Sequence, residues 1–219
     1  MTAVKTSLFD RWQQDWLSIG GNAEHCLPFW ERLSTAYSTS NRHYHTLQHL
    51  AECFTWLDAI STALAPPEKQ LLSFALWFHD IEYDSTRADN EEVSAEMATA
   101  WLQQSQLGSI KLCQVHQMIL ATKKHRSDDP LTQRLLEIDL SILGADDTRF
   151  MEYEHQIRLE YAHIPDIDFA KGRLAVLQQF ADRPTIFHLP ALAHLNHVAK
   201  KNLANSITYW QHQLQTLSK

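Results

Sequence analysis

An all-α fold is what this sequence predicts, on three observations. Apolar residues recur at helical spacing along almost the whole chain, and no alternating strand pattern competes with them. Glycine and proline are scarce, 5 and 7 in 219 residues, whereas a strand-and-turn architecture uses many of both. The breakers and capping residues that do occur fall between the periodic stretches.

The elements follow in order. Residues 4–18 place Leu8, Phe9, Trp12, Trp16 and Ile19 on one stripe, which Gly20-Gly21 ends. Residues 28–37 read as a short helix. Thr46 is placed to cap a helix from Leu47 to about Leu64, closed by Pro66-Pro67. Glu68–Phe78 is the next helix. After the polar loop "EYDSTRAD", Asp89 with Glu92 three residues on reads as a capping box for a helix that continues to Gly108. A further helix spans about 109–124. Pro130 suits a helix start, and residues 131–143 run to Gly144. Asp146 or Asp147 opens a helix to about Ala162. Asp166 or Asp168 opens another to Ala181, and the last runs from Pro190 to near the end. With no linker, repeat or low-complexity tract, residues 1–219 read as a single all-α domain. Its core is expected over about 40–145, with C-terminal helices over 146–216 packed on it. Trp12, Trp16, Trp30, Trp56 and Trp77 read as core.

Bulk numbers narrow the function. A net charge of −7 and the lack of a basic arm argue against a nucleic-acid polymer as partner. The three cysteines, Cys26, Cys53 and Cys113, are scattered and form no Cys-x-x-Cys. They fit a reducing cytoplasm and argue against a thiolate zinc site. The N-terminus meets Asp10 and Arg11 before any apolar run, unlike a signal peptide, and no run approaches a membrane span. A homodimer is compatible with this composition. Thirteen histidines are the unusual number.

Three segments carry candidate metal ligands. "NRHYHTLQHL", residues 41–50, holds His43, His45 and His49. "LWFHDIEYD", residues 76–84, runs from apolar letters straight into His79-Asp80, then Glu82 and Asp84. "LLEIDLSILG", residues 135–144, sets Asp139 among leucines and isoleucines. Each has a structural alternative. Asp139 could be a half-buried carboxylate held by an arginine. His79 could complement a helix dipole, and His49 could be a packed histidine. Adjacent helical residues diverge by about 100°, so His79 and Asp80 reach one ion only at a helix end. Together the segments offer two imidazoles and two carboxylates, a set suited to one divalent Mn, Fe, Mg or Zn ion.

The order His49, then His79-Asp80, then Asp139 in "DLSILG" resembles the HD-domain superfamily of metal-dependent phosphohydrolases. More narrowly, "RHYHTLQHL", "WFHDIEYD", "DNEEVSAE" and "IRLEYAHIPDIDFAKGRLAVL" look like a bacterial branch described as predicted metal-dependent HD phosphohydrolases. The resemblance covers about residues 5 to 205. It implies an HD-domain-like helical bundle with one divalent ion on His49, His79, Asp80 and Asp139. The implied chemistry is hydrolysis of a small phosphorylated substrate, a nucleotide in kind; fold alone does not name which. Asp84, one helical turn after Asp80, is the first candidate for proton transfer and Glu82 the second. Guanosine-tetraphosphate hydrolases carry Glu-Asp where this chain has Tyr83-Asp84.

Arg42, His45, Lys123, Lys124 and His125 are the cations available to a phosphate. Asn90 and Glu91 would orient His79 or a water, or else simply cap a helix. Arg158, Tyr161 and Arg173 either line a substrate mouth or tie the C-terminal helices together, and the second is favoured. His116 or His125 reaching the ion would make a two-metal site, as in the dinuclear-iron oxygenase branch. A third class is a nucleotide-binding HD module without turnover.

Overall fold

The structure is a computed structural model that describes residues 3–217. Among them it has ten α-helices and no strand, so the predicted all-α class holds. None of the described helices is long and apolar enough to cross a membrane. The chain divides into two compact units, Met1–Ile138 and Asp139–Lys219.

The first unit holds α1 (Ala3–Ser18), α2 (Ala23–Ala36), α3 (Leu47–Ile60), α4 (Pro66–Phe78), α5 (Asn90–Leu102), α6 (Ser109–Thr122) and α7 (Pro130–Asp139), whose last residue opens the second unit. Helix α4 packs against α1, α3, α5 and α6. Its residues Leu71 to Phe78 are all buried, as befits a helix apolar on every side. Tryptophans surround it. Trp12 stacks on Trp16 at 5.8 Å and meets the edge of Trp77 at 5.7 Å. Their indole N–H groups are satisfied by the Cys26 carbonyl (2.9 Å), the Asn22 carbonyl (2.8 Å) and Asp15 Oδ2 (2.9 Å), respectively. That lets these large rings sink fully into the core. Trp56 is only half-buried.

Several helix ends differ from the sequence reading, each for a local reason. Helix α2 starts five residues early because Asn22 accepts the Glu24 N–H and caps it, and Pro28 is taken inside the helix. Pro66-Pro67 opens α4 rather than closing α3, which ends at Ile60 before a short 3₁₀ turn. The Asp89–Glu92 capping box does not form. Arg87 takes both Asp89 oxygens at 2.9 Å, and Lys123 takes Glu92 at 2.6 Å. Helix α5 ends at Leu102, short of Gly108.

The second unit holds a 3₁₀ segment over Leu140–Gly144, then α8 (Asp147–Glu160), α9 (Asp166–Ala181) and α10 (Leu195–Leu217). Helix α10 packs on α9 and on the 3₁₀ segment. Gly144 permits that approach, since a Cβ there would lie 2.6 Å from Leu195 Cβ. The last helix starts at Leu195 instead of Pro190. Asn196 draws the preceding segment in, accepting from the N–H groups of Ile186 and Phe187 at 3.0 Å. Arg173 and Glu154 form a buried ion pair, and Trp210 Nε1 donates to Glu154 at 2.9 Å. Arg158 donates to the carbonyls of Tyr161 and Ile164 at 2.7 and 3.1 Å. These contacts support the structural reading of both arginines.

Two stability predictions follow from this packing. Arg173→Met leaves Glu154 buried without its cation and is expected to cost about 3–5 kcal/mol in urea unfolding, most of it recovered by adding Glu154→Gln. Asp15 behaves oppositely. Burial raises its pKa, against the opposing pull of Ser73, Trp77, Arg11 and Lys69. A raised carboxyl favours the folded state most below the ordinary carboxylate value and loses that contribution as pH rises through the raised value. Asp15→Asn keeps an acceptor for Ser73 and Trp77 without the charge. Its melting temperature should therefore gain on wild type as pH climbs from 4 to 7; a gain that shrinks with pH would refute this.

Candidate metal centre

Two chain segments in the first unit converge on one point. Thr46 caps α3, its hydroxyl accepting the Gln48 N–H at 3.3 Å, and this sets His49 on the first turn. His49 is 2% exposed, packed against Tyr44 at 4.8 Å and against Cys53 Sγ, which lies 3.7 Å from Nε2. Helix α4 arrives apolar and ends with His79 as its C-cap, 1% exposed.

The His79 ring is oriented by its own helix. Nδ1 lies 2.8 Å from the Leu76 carbonyl oxygen, which can only accept, so Nδ1 carries the proton. Neutral His79 therefore presents a lone pair at Nε2. That atom lies 3.1 Å from His49 Nε2 and 3.0 Å from Asp80 Oδ2, and His49 Nε2 is 3.7 Å from the same oxygen. The chain leaves the helix after Phe78, so the adjacent pair His79-Asp80 can share one point, as the helix-end argument requires.

Asp139, the last residue of α7, completes the set. One ligand atom from each of His49, His79, Asp80 and Asp139 lies within 4.8 Å of all the others. The imidazoles are buried and the carboxylates half-exposed, so the group is dry on one side and open on the other. The donor chemistry fits a cation. Metal–ligand bonds of about 2.1 Å place neighbouring donors about 3.0–3.4 Å apart, close to the spacings among His49, His79 and Asp80. These residues can hold one divalent ion.

A second layer holds the backbone of this site. Tyr37 Oη donates to the Trp77 carbonyl at 3.2 Å and accepts the Asp80 N–H at 3.3 Å. Burial, then the Asp80 charge, raises the Tyr37 pKa well above 10, so the hydroxyl keeps its proton. Arg42 donates to the carbonyls of Asp80 at 2.5 Å, Ile81 at 2.8 Å and His45 at 3.1 Å. Arg42, expected to contact phosphate, is buried here with both Nη groups on backbone carbonyls. The Tyr37 role escapes sequence reading because a tyrosine at a helix end looks like any core aromatic.

The loop after α4 is pinned by α5. Ser94 Oγ accepts the Glu82 N–H at 3.1 Å, and Asn90 brackets Asp84, accepting its N–H at 3.1 Å and donating to its carbonyl at 2.9 Å. Asp84 Oδ1 accepts from the N–H and hydroxyl of Thr86, at 2.8 and 2.7 Å. Asn90 thus orients Asp84 rather than His79, whose Nδ1 is taken by Leu76. Glu91 faces Lys123 at 3.8 Å. Lys123, expected to bind substrate, instead joins Glu92 and the Ala88 carbonyl, so α5 and α6 account for its charge. His45 stacks on Tyr83 at 4.0 Å. His125 takes a left-handed backbone, φ 47°, just past the end of α6. Among the described residues, the metal-capable group includes neither His125 nor His116, and His116 Nδ1 lies 3.2 Å from the Thr99 hydroxyl.

The ligand set is tested by metal content. Wild type should retain about one Mn, Fe, Mg or Zn ion per chain by mass spectrometry. Asp80→Ala should lose more affinity than the roughly 10–100-fold that follows loss of an outer partner. Equal metal in both proteins, after reloading with each ion, would dismiss the assignment. No protein-family model matches this chain, and no curated protein does.

Proposed function

We propose that this protein is a metal-dependent phosphohydrolase of the HD type, acting on a small phosphate ester, in kind a nucleotide. The observation that carries the reading is the convergence of His49, His79, Asp80 and Asp139, in the chain order that resembles that superfamily. Two neutral nitrogens, two carboxylates and no thiolate favour a catalytic over a closed structural ion site. A divalent ion held there would lower the pKa of a bound water towards about 7 and polarise a phosphoryl oxygen.

The chain's own groups supply the rest. The Leu76 carbonyl holds a proton on His79 Nδ1, which leaves Nε2 as the atom that would face an ion. Asp84 is the first candidate to move a proton to or from the water or leaving group, and its backbone is fixed from both sides by Asn90. Glu82, held by Ser94, is the second. His45, Lys124 and His125 are further cations that the sequence offers to a phosphate.

The test is phosphate release from nucleoside mono-, di- and cyclic phosphates and p-nitrophenyl phosphate, with each ion added in turn. Turnover by wild type should fall about 10²–10⁴-fold in Asp84→Asn while its metal content stays unchanged. Metal bound without turnover of any ester would favour the nucleotide-binding module. Two iron ions per chain with an iron-dependent absorbance would favour the oxygenase.

A further inference from the structure

Given a divalent ion on the His49, His79, Asp80 and Asp139 group, we infer that Arg42 is the positioning residue that sets the affinity of that site. Arg42 is 7% exposed, and no carboxylate among the described residues forms an ion pair with it. A buried cation left in that condition is costly unless its donors are satisfied. Here the two Nη groups meet backbone oxygens, while Nε is buried without a hydrogen-bond partner. The Asp80 and Ile81 carbonyls take Nη1 and Nη2, and the His45 carbonyl shares Nη1. The guanidinium also lies 5.0 Å from the Tyr37 ring and 5.5 Å from the Tyr83 ring.

The three carbonyls belong to two separate ligand segments. Asp80 and Ile81 follow the C-cap of α4, where the helix dipole is negative and a cation is favoured. His45 precedes Thr46, the cap of the helix that carries His49. One planar group therefore ties the backbone that places Asp80 to the backbone that places His49. It touches no ligand side chain, so it acts through their placement. Lysine keeps the charge but lacks the rigid fork that reaches three oxygens at once. Ligands held in place before the ion arrives bind it more tightly, because less order is lost on binding.

The experiment measures the Mn²⁺ dissociation constant of purified full-length protein by chelator competition, for wild type, Arg42→Lys, Arg42→Ala and Asp80→Ala. Circular dichroism verifies that each variant is folded. Both Arg42 variants should bind about 10–100-fold more weakly, the range for outer partners of metal ligands. Millimolar methylguanidinium should tighten Arg42→Ala several-fold and leave wild type and Asp80→Ala unmoved, a response that general loss of stability would not give. Should Arg42→Ala not fold, Arg42→Lys alone decides. A wild-type constant in the folded Arg42 variants overturns the positioning role while the metal site stands. Equal Mn²⁺ binding by wild type and Asp80→Ala overturns the metal reading itself, and this inference with it.

Discussion

The hydrogen bond between His79 Nδ1 and the Leu76 carbonyl is the constraint on which the centre depends. It is made inside the last turn of α4, so the most buried helix of the first unit also selects the tautomer of its own terminal residue. With a proton held at Nδ1, Nε2 is the ring nitrogen that faces His49 and Asp80. The aromatic packing around α4 is what makes this dependable. Trp12, Trp77 and Phe78 leave the helix little freedom to rotate, so the ring at its end inherits a fixed direction.

The four positions of the metal-capable group are legible in the sequence because each breaks a pattern. Asp139 interrupts an apolar helical stripe, and His79-Asp80 follows an apolar run where the next residue should be another leucine. Polar groups in such places call for a partner, and three segments offering compatible donors point to the same one. Thr46 is equally readable, since a threonine before an apolar helix has one common use.

Arg42 and Lys123 are not legible in the same way. An arginine that binds an anion and one that caps a buried helix are the same letter in the same motif. What decides between them is the position of the carbonyls just past the C-cap of α4, the first of which comes 38 residues later. Lys123 reads as part of a basic knot until α5 brings Glu91 and Glu92 beside it. The helix ends fail for a related reason. Pro66-Pro67 serves as a stop or a start equally well, and Asp89 has two suitors of which the nearer, Arg87, wins.

The tyrosine beneath the centre has one more consequence. Tyr37 touches both the last turn of α4 and the Asp80 amide, and its phenol ionises only far into the alkaline range. The phenol that holds the Asp80 amide thus keeps its proton across the range in which imidazoles change charge. An alkaline limb in a titration of this centre therefore does not belong to Tyr37, the phenol on which it stands.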